Sequence, residues 1–318
     1  LRILDANPQF LSQTLLPATT LDPLTLNALA NASLDRSKAV ADGATRLLVR
    51  CESTVPGKVS FSHTGPDGGG LSSVVASEPG SGPRHTTPIN GKHFAFAVYR
   101  VPEGIPFKQA NNPNPPPAPV VSFTTSFTPD SAPDQRLETQ EDITLAPTPV
   151  LLVHGLWGKR ADWTELASDL HHYSISRDLF VRNVDYSLYN ADSFAQNTWI
   201  IPRESATLVV DLRSKGYAAT RVDVVAHSMG GVLTRIASNL PDYRSRQNFR
   251  DGYVRRVITV DTPHHGAPSA SFLLNYLGAF TDPTDLGYRM FFINWQKKFP
   301  YRGAVRDLDP YSFAGSLE

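Results

Sequence analysis

The spacing of apolar positions changes about halfway along the chain. In the first half, apolar residues form short runs with period-two alternation, of which HFAFAVYRV at 93–101 is the clearest. Stretches rich in glycine and proline separate these runs, such as GPDGGG at 65–70 and NNPNPPPAP at 111–119. Alternating runs bounded by turn residues are typical of antiparallel strands. We therefore predict an all-β, sandwich-like module over residues 44–145, preceded by a lead-in segment over residues 1–43.

From residue 146 onward, apolar strand-like runs alternate with amphipathic helical patterns. The runs that predict strands lie at 149–155, 179–187, 221–227 and 254–260. Strands that alternate with helices are typical of a parallel sheet with helices on its faces. The second half of the chain, residues 146–318, is therefore predicted to be an α/β domain.

Length, charge, cysteine content and hydropathy limit the classes of protein to which the chain can belong. The 318 residues allow one large domain or two ordinary ones. Thirty Lys and Arg residues balance thirty Asp and Glu residues, so no overall charge draws the chain to nucleic acid or to an anionic membrane. The single cysteine, Cys51, excludes an internal disulfide and a cysteine-based metal cluster. The sequence contains no run of about 18 apolar residues, so no membrane-spanning helix is predicted.

The strongest chemical motif is AHSMGG at 226–231. A predicted buried strand ends at Ala226 and a predicted helix follows at once, which places Ser228 at a tight corner. Small residues at Ala226 and Gly230 flank the serine, as a sharp strand-to-helix turn requires. Such a corner exposes the hydroxyl and directs the amides of the helix N-terminus toward a developing oxyanion. We predict that Ser228 is a nucleophile; the alternative is that it simply caps an ordinary helix.

A second motif, HGLWG at 154–158, follows the first predicted parallel strand. Acyl transfer needs a second backbone N–H at the oxyanion, and glycine lets a loop approach closely enough to supply it. The amide of Leu156 is the candidate donor, and His154 and Gly155 are candidate supporting residues. The alternative interpretation is a glycine-rich turn with no chemical role.

A third motif, TVDTPHHGAP at 259–268, follows the last predicted strand. Adjacent histidines point apart, and the H-E-x-x-H spacing of a zinc site is missing from this motif, so a structural role in the loop is favoured over a metal site. Asp261 ends its strand, where a triad acid can lie. An unusual triad of Asp261 with His264 or His265 therefore stays open.

In this order and spacing, the three motifs resemble those of the α/β-hydrolase lipases and carboxylesterases, especially the bacterial type with alanine before the nucleophile. The resemblance covers residues 148–308 and does not extend to the β module. It implies that Ser228 is the nucleophile and that the main-chain amides of Leu156 and Met229 form the oxyanion hole. Gly230 supports the same corner.

The resemblance also implies an activity. The reaction is hydrolysis of a carboxylic ester, of lipid or acyl type, through an acyl-enzyme, and it needs no metal or organic cofactor. Residues 269–306, rich in aromatic and aliphatic side chains, take the place of a lid or cap that meets acyl chains. Contact with a lipid interface and a location outside the cytoplasm are expected. The alternatives are a thioesterase, amidase or acyltransferase, and a binding or adhesion protein acting through the β module.

One departure from the family pattern concerns the triad. In this fold the acid and the histidine follow later strands than the nucleophile. Here the last histidine, His265, comes soon after Ser228, and no further parallel strand is predicted after Gly266. We expect the α/β domain to be incomplete and a further C-terminal part of the polypeptide to supply the missing groups. The pair of Asp261 with His265, or a scaffold used for binding alone, would also explain the departure.

Overall fold

A computed structural model describes residues 1–5, 22–33, 35–74, 82–105, 118–173, 179–279 and 303–313 of the chain. Within these ranges the strands form three sheets, of five, six and four strands. The elements of the first half, in chain order, are β1 (Arg2–Asp5), α1 (Pro23–Asn31), β2 (Lys38–Val40), β3 (Arg46–Ser53), β4 (Gly57–Thr64), β5 (Gly70–Ser73), β6 (Arg84–His85), β7 (Thr87–Ile89), β8 (Lys92–Arg100), β9 (Val120–Pro129) and β10 (Leu137–Ala146).

The elements of the second half follow an alternating order. They are β11 (Val150–Val153), α2 (Thr164–Tyr173), β12 (Val181–Asn183), α3 (Phe194–Asn197), α4 (Ile200–Ser214), β13 (Tyr217–Ala218), β14 (Val222–His227), α5 (Met229–Ala237), β15 (Val254–Val260), α6 (Pro268–Ala279), α7 (Gly303–Leu308) and α8 (Pro310–Phe313). Short 3-10 turns lie at Arg160–Trp163, Pro241–Tyr243 and Arg246–Asn248.

Two sheets, built from strands of the first half and the short strand β13, pack across one apolar core. The five-stranded sheet has the order β1-β3-β8-β5, with β7 also paired to β8, and all its pairs are antiparallel. The second sheet has the order β13-β2-β10-β9-β4-β6. Alternate side chains point inward, so Phe61 and Phe123 of the second sheet meet Leu47 and Tyr99 of the first. Burying each large side chain stabilises the fold by roughly 1.5–3 kcal/mol, which is why the alternating pattern sets the strand register.

The lead-in residues are part of this architecture. β1 pairs with β3, and α1 packs its buried Leu29 on the outer face of the five-stranded sheet. Buried Arg50 of β3 reaches the C-terminal end of α1, where its Nη1 donates to the carbonyls of Ala30 at 2.5 Å and Ala32 at 2.8 Å. The sequence analysis treats residues 1–43 only as a lead-in segment and does not predict the strand pairing of β1.

The four-stranded sheet of the second half is parallel, in the order β12-β11-β14-β15. The sequence predicts these four strands in this chain order. β12 is shorter than the predicted run at 179–187, because residues 184–190 leave the sheet and turn toward the loop after β11. Helix α4 spans Ile200–Ser214, in the region where the sequence predicts helices between the strands. The apolar faces of α4 and α5 are buried against the sheet.

The two halves share a sheet and a buried carboxylate. β13, from the second half, pairs in parallel with β2. Fully buried Asp42 accepts hydrogen bonds from the N–H groups of Ala44 and Thr45 through Oδ1, and from those of Thr220 and Arg221 through Oδ2. The sequence does not predict this connection, and the proposed division at residues 44–145 and 146–318 stays a prediction.

β15 is an open edge of the parallel sheet. Among the described residues no strand pairs with its outer side. Three of its apolar side chains are exposed, Val257 by 46%, Ile258 by 61% and Val260 by 41%. Parallel sheets usually bury both faces, so an apolar edge strand of this kind is unusual.

None of the helices within the described ranges is long and apolar enough to cross a membrane.

Candidate active site

Ser228 occupies the corner between β14 and α5 with φ 53° and ψ −126°. A positive φ is uncommon for a residue with a β-carbon and persists where the surroundings enforce it. Its N–H donates to the Val260 carbonyl at 2.9 Å, which ties the corner to β15. Within the part of the chain that the structure describes, its side chain makes no capping hydrogen bond. The interpretation of Ser228 as an ordinary helix cap is therefore wrong, because a capping serine has extended backbone and bonds a helix amide.

Glycines let the loop after β11 approach this corner. A β-carbon on Gly230 would lie 2.7 Å from the His154 carbonyl oxygen, and one on Gly155 would lie 2.7 Å from Ser228 Cβ. Both distances are too short for a side chain, so the two loops are in direct backbone contact. Ala226, on the other side of the serine, is fully buried. The sequence predicts small residues at these positions for this reason.

Two backbone amides next to the serine have no partner among the described residues. Neither the N–H of Leu156 nor that of Met229, the first residue of α5, donates a hydrogen bond there. Leu156 lies in a turn closed by the Gly158 N–H, which donates to the Gly155 carbonyl at 3.1 Å. Trp157 has φ 60° in this turn, a second strained position beside the corner. Two unengaged N–H donors beside a hydroxyl can together bind an oxyanion.

His154 is buried behind the turn and stacks on Tyr186. The ring centroids are 4.2 Å apart with an interplanar angle of 14°. Nδ1 lies 3.0 Å from the Gly155 carbonyl oxygen, and Nε2 lies 3.4 Å from the Tyr186 nitrogen. Burial lowers the pKa of His154, against the opposing effects of the Gly155 hydrogen bond and the carboxylates of Asp185 and Asp162. The imidazole is therefore held neutral. Burial likewise raises the pKa of Tyr186.

The acidic and imidazole side chains of the third motif make no hydrogen bond to Ser228 among the described residues, although the motif's Val260 carbonyl accepts from the Ser228 N–H. Asp261 has φ 48°, and its side chain and that of His265 are exposed. His264 Nε2 lies 3.4 Å from Thr259 Oγ1, and the His264 carbonyl accepts from Arg235 at 3.0 Å. Among the described residues, no hydrogen bond joins these acidic and imidazole groups to each other or to Ser228. Their triad role stays a prediction without a supporting contact.

The predicted lid at 269–306 falls largely outside the described residues. α6 covers its first part and α7 its last, and the Ala267 N–H donates to the Leu308 carbonyl at 2.7 Å.

The sequence analysis does not identify two residues that contact the HGLWG loop, Tyr186 and Asn190. Asn190 Nδ2 donates to the Gly158 carbonyl at 2.8 Å. Neither residue stands in a motif, and only the turn after β12 brings them to the loop.

Comparisons with known proteins agree with the motifs. The model of a family described as "PGAP1-like alpha/beta domain" matches residues 144–274. A triacylglycerol lipase of Pseudarthrobacter phenanthrenivorans is 31% identical over 142 residues, 43% of this chain and 39% of the relative. A triacylglycerol lipase of Burkholderia plantarii is also 31% identical over 142 residues, 43% of this chain and 35% of the relative. The chain thus spans under two fifths of the length of these relatives.

Among solved structures, Bacillus licheniformis lipase BlEst2 in its propeptide form is 19% identical, with a TM-score of 0.34 over 53% of this chain and 31% of that chain. This likeness is too low to support an argument. The family match and the lipase relatives together confirm the resemblance predicted from the motifs. The matched segment of this chain is similar to α/β-hydrolase domains of the lipase and esterase type.

Proposed function

We propose that the protein is a serine hydrolase that cleaves carboxylic esters of lipid or acyl type. The observation that carries this proposal is the strained corner at Ser228. Among the residues that the structure describes, its hydroxyl makes no capping bond, and the nearby amides of Leu156 and Met229 have no hydrogen-bond partner. The triacylglycerol lipase relatives support an ester of a lipid as the substrate class. Secretion, which the family resemblance favours, is proposed on the same ground.

In the proposed reaction, Ser228 Oγ attacks the ester carbonyl carbon while its proton passes to an imidazole base. The carbonyl oxygen becomes an oxyanion and accepts hydrogen bonds from the Leu156 and Met229 amides. A single such donor contributes roughly 2.7–4 kcal/mol to the transition state in a related chemistry. The alcohol leaves after receiving the proton, and water then hydrolyses the acyl-enzyme by the same steps.

We propose that the base and its acid come from strands beyond β15. The exposed Val257, Ile258 and Val260 on its open edge support this, because a further strand and helix would bury them. The relatives are also longer than the matched part of this chain. Residues 1–318 alone are then expected to turn over esters on the order of 10⁶ times more slowly than a polypeptide that includes such strands. Equal turnover by both would overturn this part of the proposal.

The nucleophile is tested in a polypeptide that includes the proposed further strands, by p-nitrophenyl ester hydrolysis and by labelling with a fluorophosphonate. Ser228→Ala is expected to abolish both. Ser238→Ala, at the exposed end of α5, is the matched control and should change neither. Undiminished labelling of Ser228→Ala would refute the proposal. The same assay with thioester and amide substrates separates an esterase from a thioesterase or amidase, and fractionation of producing cells tests secretion.

A further inference from the structure

The direction of the Leu156 N–H follows from the carbonyl that precedes it. In a trans peptide the C=O of one residue and the N–H of the next point in opposite directions. The Gly155 carbonyl oxygen has two donors close to it, the Gly158 N–H at 3.1 Å and His154 Nδ1 at 3.0 Å. Because both hold this oxygen on one side of the turn, the Leu156 N–H is held toward the other side.

The contacts of His154 select one tautomer. The Tyr186 N–H can donate to Nε2, at 3.4 Å, only if Nε2 carries no proton. Nδ1 then carries the proton and donates to the Gly155 carbonyl. The imidazole is 1% exposed, and Tyr186 stacks on its face and donates Oη to the His154 carbonyl at 2.5 Å. The ring therefore cannot turn without breaking several contacts.

The far end of the same turn is also held by the segment after β12. Asn190 is 3% exposed, and its Nδ2 donates to the Gly158 carbonyl at 2.8 Å. The contacts from Tyr186 and Asn190 thus fix both ends of the HGLWG loop. Resting on the proposed function, we propose that His154, Tyr186 and Asn190 are positioning residues that aim the Leu156 amide at the oxyanion.

Two amide substitutions separate positioning from general packing. An asparagine at position 154 can place its Nδ2 near the position of the imidazole Nδ1, so His154→Asn can still donate to the Gly155 carbonyl. His154→Gln places its amide farther out and cannot. In a polypeptide that includes the proposed further strands, we expect kcat to fall about 10²- to 10³-fold in His154→Gln, as for loss of an oxyanion donor, with KM little changed. His154→Asn is expected to keep kcat within about tenfold.

The matched controls are His171→Asn and His171→Gln on the exposed side of α2, which should leave kcat and KM unchanged. Unfolding midpoints of the two His154 variants show whether both fold equally well. Equal losses of kcat in His154→Asn and His154→Gln, or a change confined to KM, would overturn the positioning role.

A measurement without catalysis keeps this inference separate from the proposed function. ¹⁵N NMR of the histidine side chains is expected to show His154 protonated at Nδ1 and unprotonated at Nε2. The opposite tautomer in an active protein would overturn the positioning role and leave the proposed function intact. A polypeptide that includes the proposed further strands and neither hydrolyses esters nor reacts at Ser228 would refute the proposed function, whichever tautomer His154 shows.

Discussion

The α-carbon of Gly155 faces Ser228 so closely that a β-carbon on the glycine would lie 2.7 Å from Ser228 Cβ and 3.1 Å from Ser228 Oγ. The loop after β11 and the corner after β14 therefore meet without any side chain between them. The consequence is that the amide of Leu156, one residue further on, begins next to the serine hydroxyl. The closeness of the proposed donor and nucleophile depends on this one missing methyl group.

Gly155→Ala tests this contact. The added methyl must push the loop away from Ser228, and a displacement on the order of 1 Å at a reacting centre costs about 10²-fold in rate. We expect kcat/KM for ester hydrolysis, and the rate of fluorophosphonate labelling, to fall by about that factor. Gly70→Ala is the control, because a β-carbon there would have nothing within 4 Å. Full activity in Gly155→Ala would mean that the loop accommodates the methyl group without displacing the proposed donor, and would contradict this prediction.

The buried imidazole of His154 predicts a loss of stability in acid. Burial holds its pKa below the usual 6.5 in the folded chain, so the unfolded chain takes up a proton first as the pH falls. This contribution to the free energy of unfolding is complete above pH 6.5 and is lost as the pH falls toward the folded-state pKa. His154→Asn removes it, so urea unfolding at about pH 7.5 and about pH 5.5 should show a smaller difference in the variant.

The control for that measurement is His171→Asn, which exchanges an exposed histidine. It should keep the wild-type difference between the two pH values. An unchanged pH dependence in His154→Asn would show that other groups cause the acid sensitivity.

Substitution of Asp42, outside the site at Ser228, is expected to lower the free energy of unfolding. Each of its carboxylate oxygens accepts from two backbone N–H groups, those of Ala44 and Thr45 on one side and Thr220 and Arg221 on the other. In Asp42→Asn, the new amide must face one of these pairs with its own N–H bonds. We expect the free energy of unfolding to fall by roughly 2–4 kcal/mol, since each buried unpaired donor costs about 1–3 kcal/mol. Chemical denaturation measures this.

Asp142→Asn is the matched control for Asp42. Asp142 is exposed on β10 and accepts from Gln140 Nε2 at 3.0 Å. Its exchange should leave the unfolding curve in place. Equal shifts in the two variants would contradict the assignment of Asp42 as the buried link between the two halves.

Arg50 predicts how firmly the lead-in helix is held. Its guanidinium donates to the carbonyls of Ala30 and Ala32 at the C-terminal end of α1, where a cation is favoured. Arg50→Met keeps the approximate length of the side chain and removes these bonds together with the one to the Leu29 carbonyl. We expect faster limited proteolysis within residues 22–33 and a loss of roughly 1.5–3 kcal/mol of stability. Arg256→Met, an exposed exchange on β15, is the control; cleavage at the same rate in both variants would contradict the prediction.

The sequence predicts elements whose cause is local. The alternation in HFAFAVYRV yields β8, and the apolar run before AHSMGG yields β14, because burial selects the same residues that form the pattern. The corner at Ser228 is predictable for the same reason, since the sharp turn itself requires small residues at Ala226 and Gly230. The match of the PGAP1-like alpha/beta domain to residues 144–274 spans these local motifs.

What the sequence does not predict depends on long-range contact. Tyr186 carries no motif, yet its ring fixes His154, because the two meet only after β12 pairs with β11. Asp42 looks like an ordinary turn residue until Thr220 folds against it. The two-residue strand β13 has too few positions to show a period. Each of these features joins parts of the chain that are distant in sequence.

The parallel pairing of β13 with β2 has a practical consequence for anyone who engineers this protein. A protein fragment that ends between the two halves would leave β2 as an unpaired edge strand. It would also leave the carboxylate of Asp42 without the Thr220 and Arg221 donors. Such a fragment is expected to aggregate through this edge. Domain exchanges and truncations should therefore keep both halves in one polypeptide.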